Sequence, residues 1–350
     1  MEPKRILCVC TSGVGNAIMF TPVIANIRLR YPYSRLFFAG SPTSAQVVAG
    51  SEFVDEVVEY DIAKRWQSLF LVRRVRPDLV AVSFSDRGIF ISFLSWASGA
   101  KIRAGFVYRN RGIFYNRPLF IDSFFEKHEV QHNLDLCRIL GVPIVSGKTF
   151  FAVSEQDEEF ADDWLKKQGL SGRAIVGFHP GSNPKYVQKR WPAKKFGELA
   201  SIFAKQGFSV LTFGGTGEEK LFFQIKEIEP SAESAIGIGL KRSAAILKKC
   251  AGFVANDSGF MHMAYTLGVP VLGLIGPTPE NRYGPLGISS IVTAPMSCRP
   301  CYRGQKRIDC EHVNCMQEIS VDSVTREFFR LLDRARALRE SNGRAEFDQG

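Results

Sequence analysis

An alternation of short apolar strands and longer helical segments, run through twice along 350 residues, restricts this chain more than any other feature. The first pass opens on RILCVC, a strand at 5–10, which runs through the turn Thr11-Ser12-Gly13-Val14-Gly15-Asn16 into a helical pattern. Strands follow near 35–39, 56–60, 79–84 and 102–106, with helices near 16–31, 43–50, 64–74, 89–98 and 129–140. Gly141 and Pro143 stop the last of these. The second pass places strands near 174–178, 208–213, 234–236, 252–255, 271–274 and 290–293. Its helices fall near 193–206, 217–228, 243–250, 258–267 and 322–340. Such alternation lays a helix over a sheet face at each crossover, so the sheets are parallel and covered on both sides. The expected class is α/β: two Rossmann-like parallel-sheet domains whose strand-end loops face a cleft.

The first domain is expected over 1–152 and the second over 172–320, joined by a helix or linker at 153–171. In that linker VSEQDEEFADDWLKKQ reads as an acidic amphipathic helix, with Ser154 as its cap and Gly169 as its stop. A last helix at 321–340 is expected to pack back on the first domain, and the polar tail 341–350 to be disordered.

No apolar run approaches the roughly 20 residues that cross a bilayer, and GIFISFLSWA at 88–97 is too short. The N-terminus leads into a strand without a secretory apolar core, so the expected location is the cytoplasm. Net charge is +10, and +7 of it lies in residues 1–150. A basic excess suits an anionic partner. Lys101, Arg103, Arg109, Arg111 and Arg117 fall in one window without an acid, which is either a solvated loop face or a site for phosphate or carboxylate. Four of the eight cysteines cluster as C-x2-C-x8-C-x4-C at Cys298, Cys301, Cys310 and Cys315, with His312 inside. That set suits either a structural zinc or a reduced surface loop.

Four loops follow strands of the second domain. NDSG at 256–259 opens a helix, whose first N–H groups and positive dipole end favour a diphosphate. Asp257 there caps the helix or accepts from a sugar hydroxyl, and His262 follows one turn later. Gly276-Pro277-Thr278-Pro279 permits close backbone approach. His179-Pro180-Gly181-Ser182-Asn183 leads to Lys189-Arg190-Trp191-Pro192, whose two cations suit phosphate. Gly214-Gly215-Thr216-Gly217-Glu218 brings a carboxylate to the place of a ribose ligand. Together these loops define a nucleotide site.

In this order HPGS, KRWP, FGG-G-EE, NDSG-MH-A--LG-P and GPT-P resemble the family 9 glycosyltransferases, the heptosyltransferases of lipopolysaccharide core assembly. GVGNAIMFTPVIANIRLRYP and HNLDLCRILGVP in the first domain are similar to that family too, and the resemblance covers about 5–335. It implies the GT-B architecture, with the acceptor on the first domain and the donor on the second. It also implies an inverting, metal-independent transfer from an ADP-heptose to an anionic glycolipid of the lipopolysaccharide core, without any cofactor required for catalysis. By that resemblance Asp257 grips the donor sugar, and Ser258, Gly259, Lys189 and Ser182 contact phosphate, with Arg190 and His262 beside them. Glu218 matches the ribose ligand. Gly13, Gly15, Asn16, Arg87, Arg103, Arg109 and Arg111 fall on the acceptor side.

The family opening carries an aspartate, the general base, where this chain has Asn16. An amide does not take a proton at neutral pH. Asn16 therefore binds a sugar hydroxyl or caps the helix, and Asp86, after the strand at 79–84, is a base by position, ahead of His128 and His132. The rival reading is a catalytically silent sugar-nucleotide-binding homologue. An oxidoreductase is disfavoured because Gly13-Val14-Gly15 lacks the third glycine of a dinucleotide fingerprint. A nucleic-acid role has only charge behind it. The partners expected are thus an ADP-sugar, an anionic glycolipid and the inner-leaflet surface. There the segment with Phe106, Tyr108, Ile113, Phe114 and Tyr115 is expected to hold the protein peripherally.

Overall fold

The computed structural model describes residues 2–60, 64–108, 112–121, 126–302 and 310–347. The chain divides into two units, Met1–Ser154 and Glu155–Gly350.

In the first unit the order is β1 (Arg5–Cys10), α1 (Val14–Arg30), β2 (Arg35–Gly40), α2 (Pro42–Val48), β3 (Glu56–Glu59), α3 (Arg65–Val75), β4 (Leu79–Val82), α4 (Ile89–Ala97), β5 (Ile102–Val107), β6 (Arg117–Phe120) and α5 (Glu129–Ile139). All six strands are parallel, in the order β3-β2-β1-β4-β5-β6. β1 is central, so its apolar run is buried on both faces, while its neighbours step outward in both directions. One face packs Leu7, Val9, Phe37, Val80 and Val82 against Val72, Ile91 and Leu94. β6 escapes the sequence pattern because it is four residues long and contains Pro118; it lies at the sheet edge, where proline is tolerated.

The second unit begins with α6 (Glu155–Lys167). There follow β7 (Ile175–His179), a 3-10 turn (Pro184–Lys189), α7 (Ala193–Lys205), β8 (Ser209–Gly214), α8 (Glu219–Lys226), β9 (Glu233–Ile236), α9 (Leu240–Lys248), β10 (Gly252–Asn256), α10 (Gly259–Thr266), β11 (Val271–Leu274), α11 (Glu280–Tyr283), β12 (Ser289–Val292), α12 (Asn314–Gln317) and α13 (Val321–Phe347). Its parallel sheet is ordered β12-β11-β10-β7-β8-β9. Phe178, Trp191, Phe196, Phe203 and Phe328 form the ring-rich core under it.

The expected linker helix, α6, packs on α9 within this unit. Ala161 and Leu165 are buried, and Glu158 and Asp162 pair with Lys248 and Lys249. Gly169, at φ 67°, closes it as the stop signal predicts. The last helix, α13, lies along β11, β12 and α7 of its own unit, through Val324, Phe328 and Leu331. It continues to Phe347, through most of the tail expected to be disordered. No helix among the described residues is long and apolar enough to cross a membrane.

Candidate active site

In each sheet the strand order reverses beside the first strand, and the crevice at such a switch point is where doubly wound sheets bind ligands. In the second unit the reversal falls between β7 and β10. Asn256, wholly buried at the end of β10, ties that crevice together. Its amide nitrogen donates to the carbonyls of Pro180 (2.7 Å) and Gly181 (3.2 Å), and its side-chain oxygen accepts from Trp191 N at 3.0 Å. The sequence reading gave Asn256 no role, although a polar residue ending an apolar strand was the available signal.

Around this clamp the expected donor residues meet. Lys189 Nζ donates to Asp257 Oδ2 at 2.8 Å, and both side chains are nearly out of solvent. Burial raises the Asp257 carboxyl, but the Lys189 charge, with His262 nearby, outweighs it and holds the group below the ordinary aspartate range. Tyr186, Tyr283 and Tyr302 put ring centroids 5.4, 5.8 and 4.9 Å from the Lys189 ammonium. None of the three was expected, because 3-10 turn, α11 and cysteine-rich segment converge only in the fold.

A second chain of contacts runs alongside. His179 Nδ1 lies 2.8 Å from Ser258 Oγ, and His179 Nε2 lies 3.3 Å from Glu218 Oε2. Gly215 N donates to Glu218 Oε2 at 2.9 Å, and Arg190 approaches Oε1 at 3.6 Å. Burial raises the Glu218 carboxyl, yet His179, the Gly215 N–H and Arg190 together keep it below its usual value. Arg190 also donates to the hydroxyl and carbonyl of Ser182, both at 3.1 Å. Ser258 caps α10 through backbone geometry alone, because its hydroxyl is turned to His179. Gly259 begins α10, so the unpaired N–H groups of its first turn lie beside Lys189 and Asp257. Ser182, Lys189, Arg190, Glu218, Asp257, Ser258, Gly259 and His262 thus share one crevice that offers cations, a helix start and two carboxylates to a ligand. A Cβ on Gly181 would stand 1.9 Å from Glu218 Oε1, so a larger residue there requires the Glu218 carboxylate to move.

The first unit repeats the plan between β1 and β4. Asp86, nearly buried, accepts from Thr11 N (2.8 Å), Thr11 Oγ1 (2.6 Å), Ser12 Oγ (3.2 Å) and Ser83 Oγ (2.7 Å). It therefore joins the two strand-end loops. Asn133, from the HNLDLC stretch, accepts from Phe84 N at 2.8 Å and donates to the Met19 carbonyl at 3.1 Å, which fixes β4's loop to α1. Gly13 is the N-cap of α1, and a Cβ on it would meet no atom within 4 Å. Gly15 and Asn16 lie inside the first turn, so the expectation that Asn16 caps a helix starting at Ala17 is corrected. The Asn16 side chain is half-buried and hydrogen-bonds to none of the described residues.

Several other acceptor-side residues make contacts within the first unit. Arg87 is buried, donating to the Phe84 carbonyl at 2.8 Å with its guanidinium 4.5 Å over the Phe84 ring. Arg103 donates to the carbonyls of Ala100 (2.7 Å) and Phe114 (3.0 Å). Arg109 and Arg111 lie outside the described residues. Phe106 and Tyr115 are core side chains, so the expected membrane-facing segment keeps only Ile113 well exposed. His128 caps α5, and His132 stacks on Phe84 at 4.2 Å. Among the described residues no group of three or more His, Cys, Asp or Glu is placed to hold a metal; residues 303–309, inside the cysteine cluster, lie outside them. Cys298, Cys301, Cys310, His312 and Cys315 instead border a cavity of about 170 Å³ with Met296. Burial first, then the neighbouring thiols, push Cys315 up to about 11.

Two doubly wound parallel sheets with loop-built crevices at their switch points make the GT-B architecture. Residues 88–312 match glycosyltransferase family 9 (heptosyltransferase), and the chain belongs to that family. Lipooligosaccharide heptosyltransferase 2 of Haemophilus ducreyi is 30% identical over 82% of this chain and 88% of its own length. The family 9 glycosyltransferase of Veillonella parvula has the same fold, at a TM-score of 0.79, 23% identity, and 95% and 97% coverage of the two chains. The ADP-heptose lipopolysaccharide heptosyltransferase II of Escherichia coli matches at 0.76 and 21%, covering 94% and 99%.

Proposed function

We propose that this glycosyltransferase moves a heptose from an ADP-heptose to an anionic glycolipid of the lipopolysaccharide core, with inversion and without a catalytic metal. The second unit takes the donor and the first the acceptor. The observation that carries this reading is the buried Lys189–Asp257 pair at the start of α10, a cation for diphosphate beside a carboxylate for sugar hydroxyls. The names of the relatives supply the heptose, the ADP and the lipopolysaccharide. The family is one of transferases, and the silent-homologue reading has only Asn16 behind it.

In the reaction an acceptor hydroxyl attacks the anomeric carbon on the face opposite the diphosphate. The C–O bond to ADP breaks, its electron pair leaves with ADP, and the hydroxyl proton is lost. The centre passes through an oxocarbenium-like state, by analogy with inverting hydrolysis. Lys189, Arg190 and the α10 N-terminus stabilise the charge growing on the leaving diphosphate. Asn16, with its amide oxygen, orients the acceptor hydroxyl. The proton passes through Ser12 Oγ to Asp86 Oδ1, 3.2 Å away, the carboxylate fixed at the first unit's switch point.

The test is ADP release on mixing the protein, ADP-heptose and a truncated core glycolipid. Acceptor-dependent ADP release and a heptosylated product support the reading; donor binding without turnover would overturn it.

A further inference from the structure

The first unit carries an outward face that the transfer chemistry does not use. α3 turns Ser68, Val72 and Val75 inward at helical spacing, which leaves Trp66 and Phe70 outside, 77% and 68% exposed. α4, packed against it, leaves Ile89 and Trp96 each 52% exposed. Phe93 lies 5.8 Å from Trp96, and both rings lie within 6 Å of Phe114, at 5.6 and 5.9 Å. Two shallow grooves meet along α3. One, of about 810 Å³, lies among Arg5, Phe70, Arg73, Arg74 and Arg76. The other, of about 410 Å³, lies among Leu69, Arg73, Phe93, Trp96 and Arg103. Arg73 borders both, so they form one continuous surface.

The helices that form this surface carry charge of one sign, and Glu56, which borders a neighbouring groove with Arg74, is paired with Arg35. Residues 64–76 hold Lys64, Arg65, Arg73, Arg74 and Arg76 without an acid, and residues 89–108 hold Lys101 and Arg103 without an acid. Arg73, Arg74 and Arg76 enter no ion pair among the described residues, whereas Lys248 at the end of α9 and Lys249 just after it are both neutralised by α6. Exposed tryptophan and phenylalanine beside unpaired guanidinium groups is the composition of an interfacial helix: rings at headgroup depth, cations on lipid phosphates. A polyanion alone would account for the arginines and leave the exposed rings without a role.

We propose that the α3–α4 face docks the protein on an anionic lipid bilayer, with Trp66, Phe70 and Trp96 entering the headgroup layer and Arg73, Arg74 and Arg76 engaging lipid phosphates. This rests on the glycolipid reading of the acceptor, since an acyl-anchored acceptor is met only at a membrane surface. It also moves the membrane contact from the segment around Phe106 and Tyr115, which is core, to a pair of neighbouring helices.

The experiment is flotation of the full chain with phosphatidylcholine vesicles, with and without roughly one third phosphatidylglycerol, at low and high salt. Wild type is compared with Trp66→Ser/Phe70→Ser and Arg73→Glu/Arg74→Glu, all at exposed positions. The expected result is binding to the anionic vesicles that weakens with salt and falls about tenfold or more in each double variant. Absent binding of wild type to anionic vesicles, or equal binding by both variants, would overturn the proposal; the face would then belong to a protein partner. ADP-heptose titration of the same preparations separates the two readings. Unchanged donor affinity beside lost flotation supports the docking face, and absent donor affinity beside intact flotation strikes only the donor assignment.

Discussion

Lys189 Nζ and Asp257 Oδ2 meet at 2.8 Å with little solvent around either, 13% and 6% exposed at the side chains. The pair joins the loop after β7 to the start of α10 across the switch point of the second sheet. Each partner is therefore held where the other's charge is needed. Removing one leaves the other buried and uncompensated, which costs about 3–5 kcal/mol. Lys189→Ala should lower the urea midpoint accordingly and lose ADP affinity as well. Lys189→Met, which keeps the volume, should lose affinity to the same degree; retention of ADP binding in both would remove Lys189 from the phosphate site.

Acid should act on the same pair with a defined sign. The folded-state pKa of Asp257 lies below its ordinary value of 3.8. The stability this contributes is present above that value and lost as pH falls through the folded pKa. Wild type should therefore exceed Asp257→Asn in unfolding free energy by the same margin at about pH 7 and 5. The margin should narrow below about pH 4. Denaturant curves across that range check this, and a margin that widens on acidification would contradict it.

Gly181 carries a steric prediction. A methyl group there collides with Glu218, whose carboxylate is held by His179 and the Gly215 N–H. Gly181→Ala should displace Glu218 and weaken nucleotide binding by about tenfold, on the order of 1.4 kcal/mol. Glu218→Gln should lose a similar amount, and the double variant should lose little more than either alone.

In the first unit Asp86 holds two loops together and is the proposed base, and the two separate by measurement. Its four accepted hydrogen bonds knit the β1 and β4 loops, so Asp86→Ala should cost about 2–4 kcal/mol of stability. Asp86→Asn should retain part of that and still lose kcat by about a hundredfold, the scale of a lost general base. Asn16→Ala should act mainly on acceptor KM. A large kcat loss with Asn16→Ala and a small one with Asp86→Asn would reverse these roles.

The sequence carried the sheet order's main elements because a central parallel strand must be apolar on both faces, and RILCVC and GFVAN show that directly. It carried the donor loops because glycine, proline and charge sit immediately after those strands. What it did not show depends on distance in sequence. Tyr302 meets Lys189 only through the fold, more than a hundred residues apart. Asn133 clamps Phe84 and Met19 from a helix whose polar positions look like any solvated face. The window 101–117 carried both an expected strand at 102–106 and a basic, apolar-spiked surface; the strand forms as β5, but it is buried on both faces from Ala104 to Val107, which puts Phe106 in the core. Trp66 and Phe70 drew no reading from the sequence, because whether a ring on a helix faces in or out depends on what packs against that helix; here both face out.

The account's central claim is that the crevice between β7 and β10 holds an ADP-sugar through Lys189 on the diphosphate and Asp257 on the sugar. Calorimetric titration with ADP, UDP, GDP and ADP-heptose, on wild type and on Asp257→Ala, tests it most directly. The account predicts selective binding of the ADP species and a loss in the variant confined to the sugar-bearing ligand. Absence of nucleotide binding, or an equal loss for ADP and ADP-heptose in the variant, would contradict it.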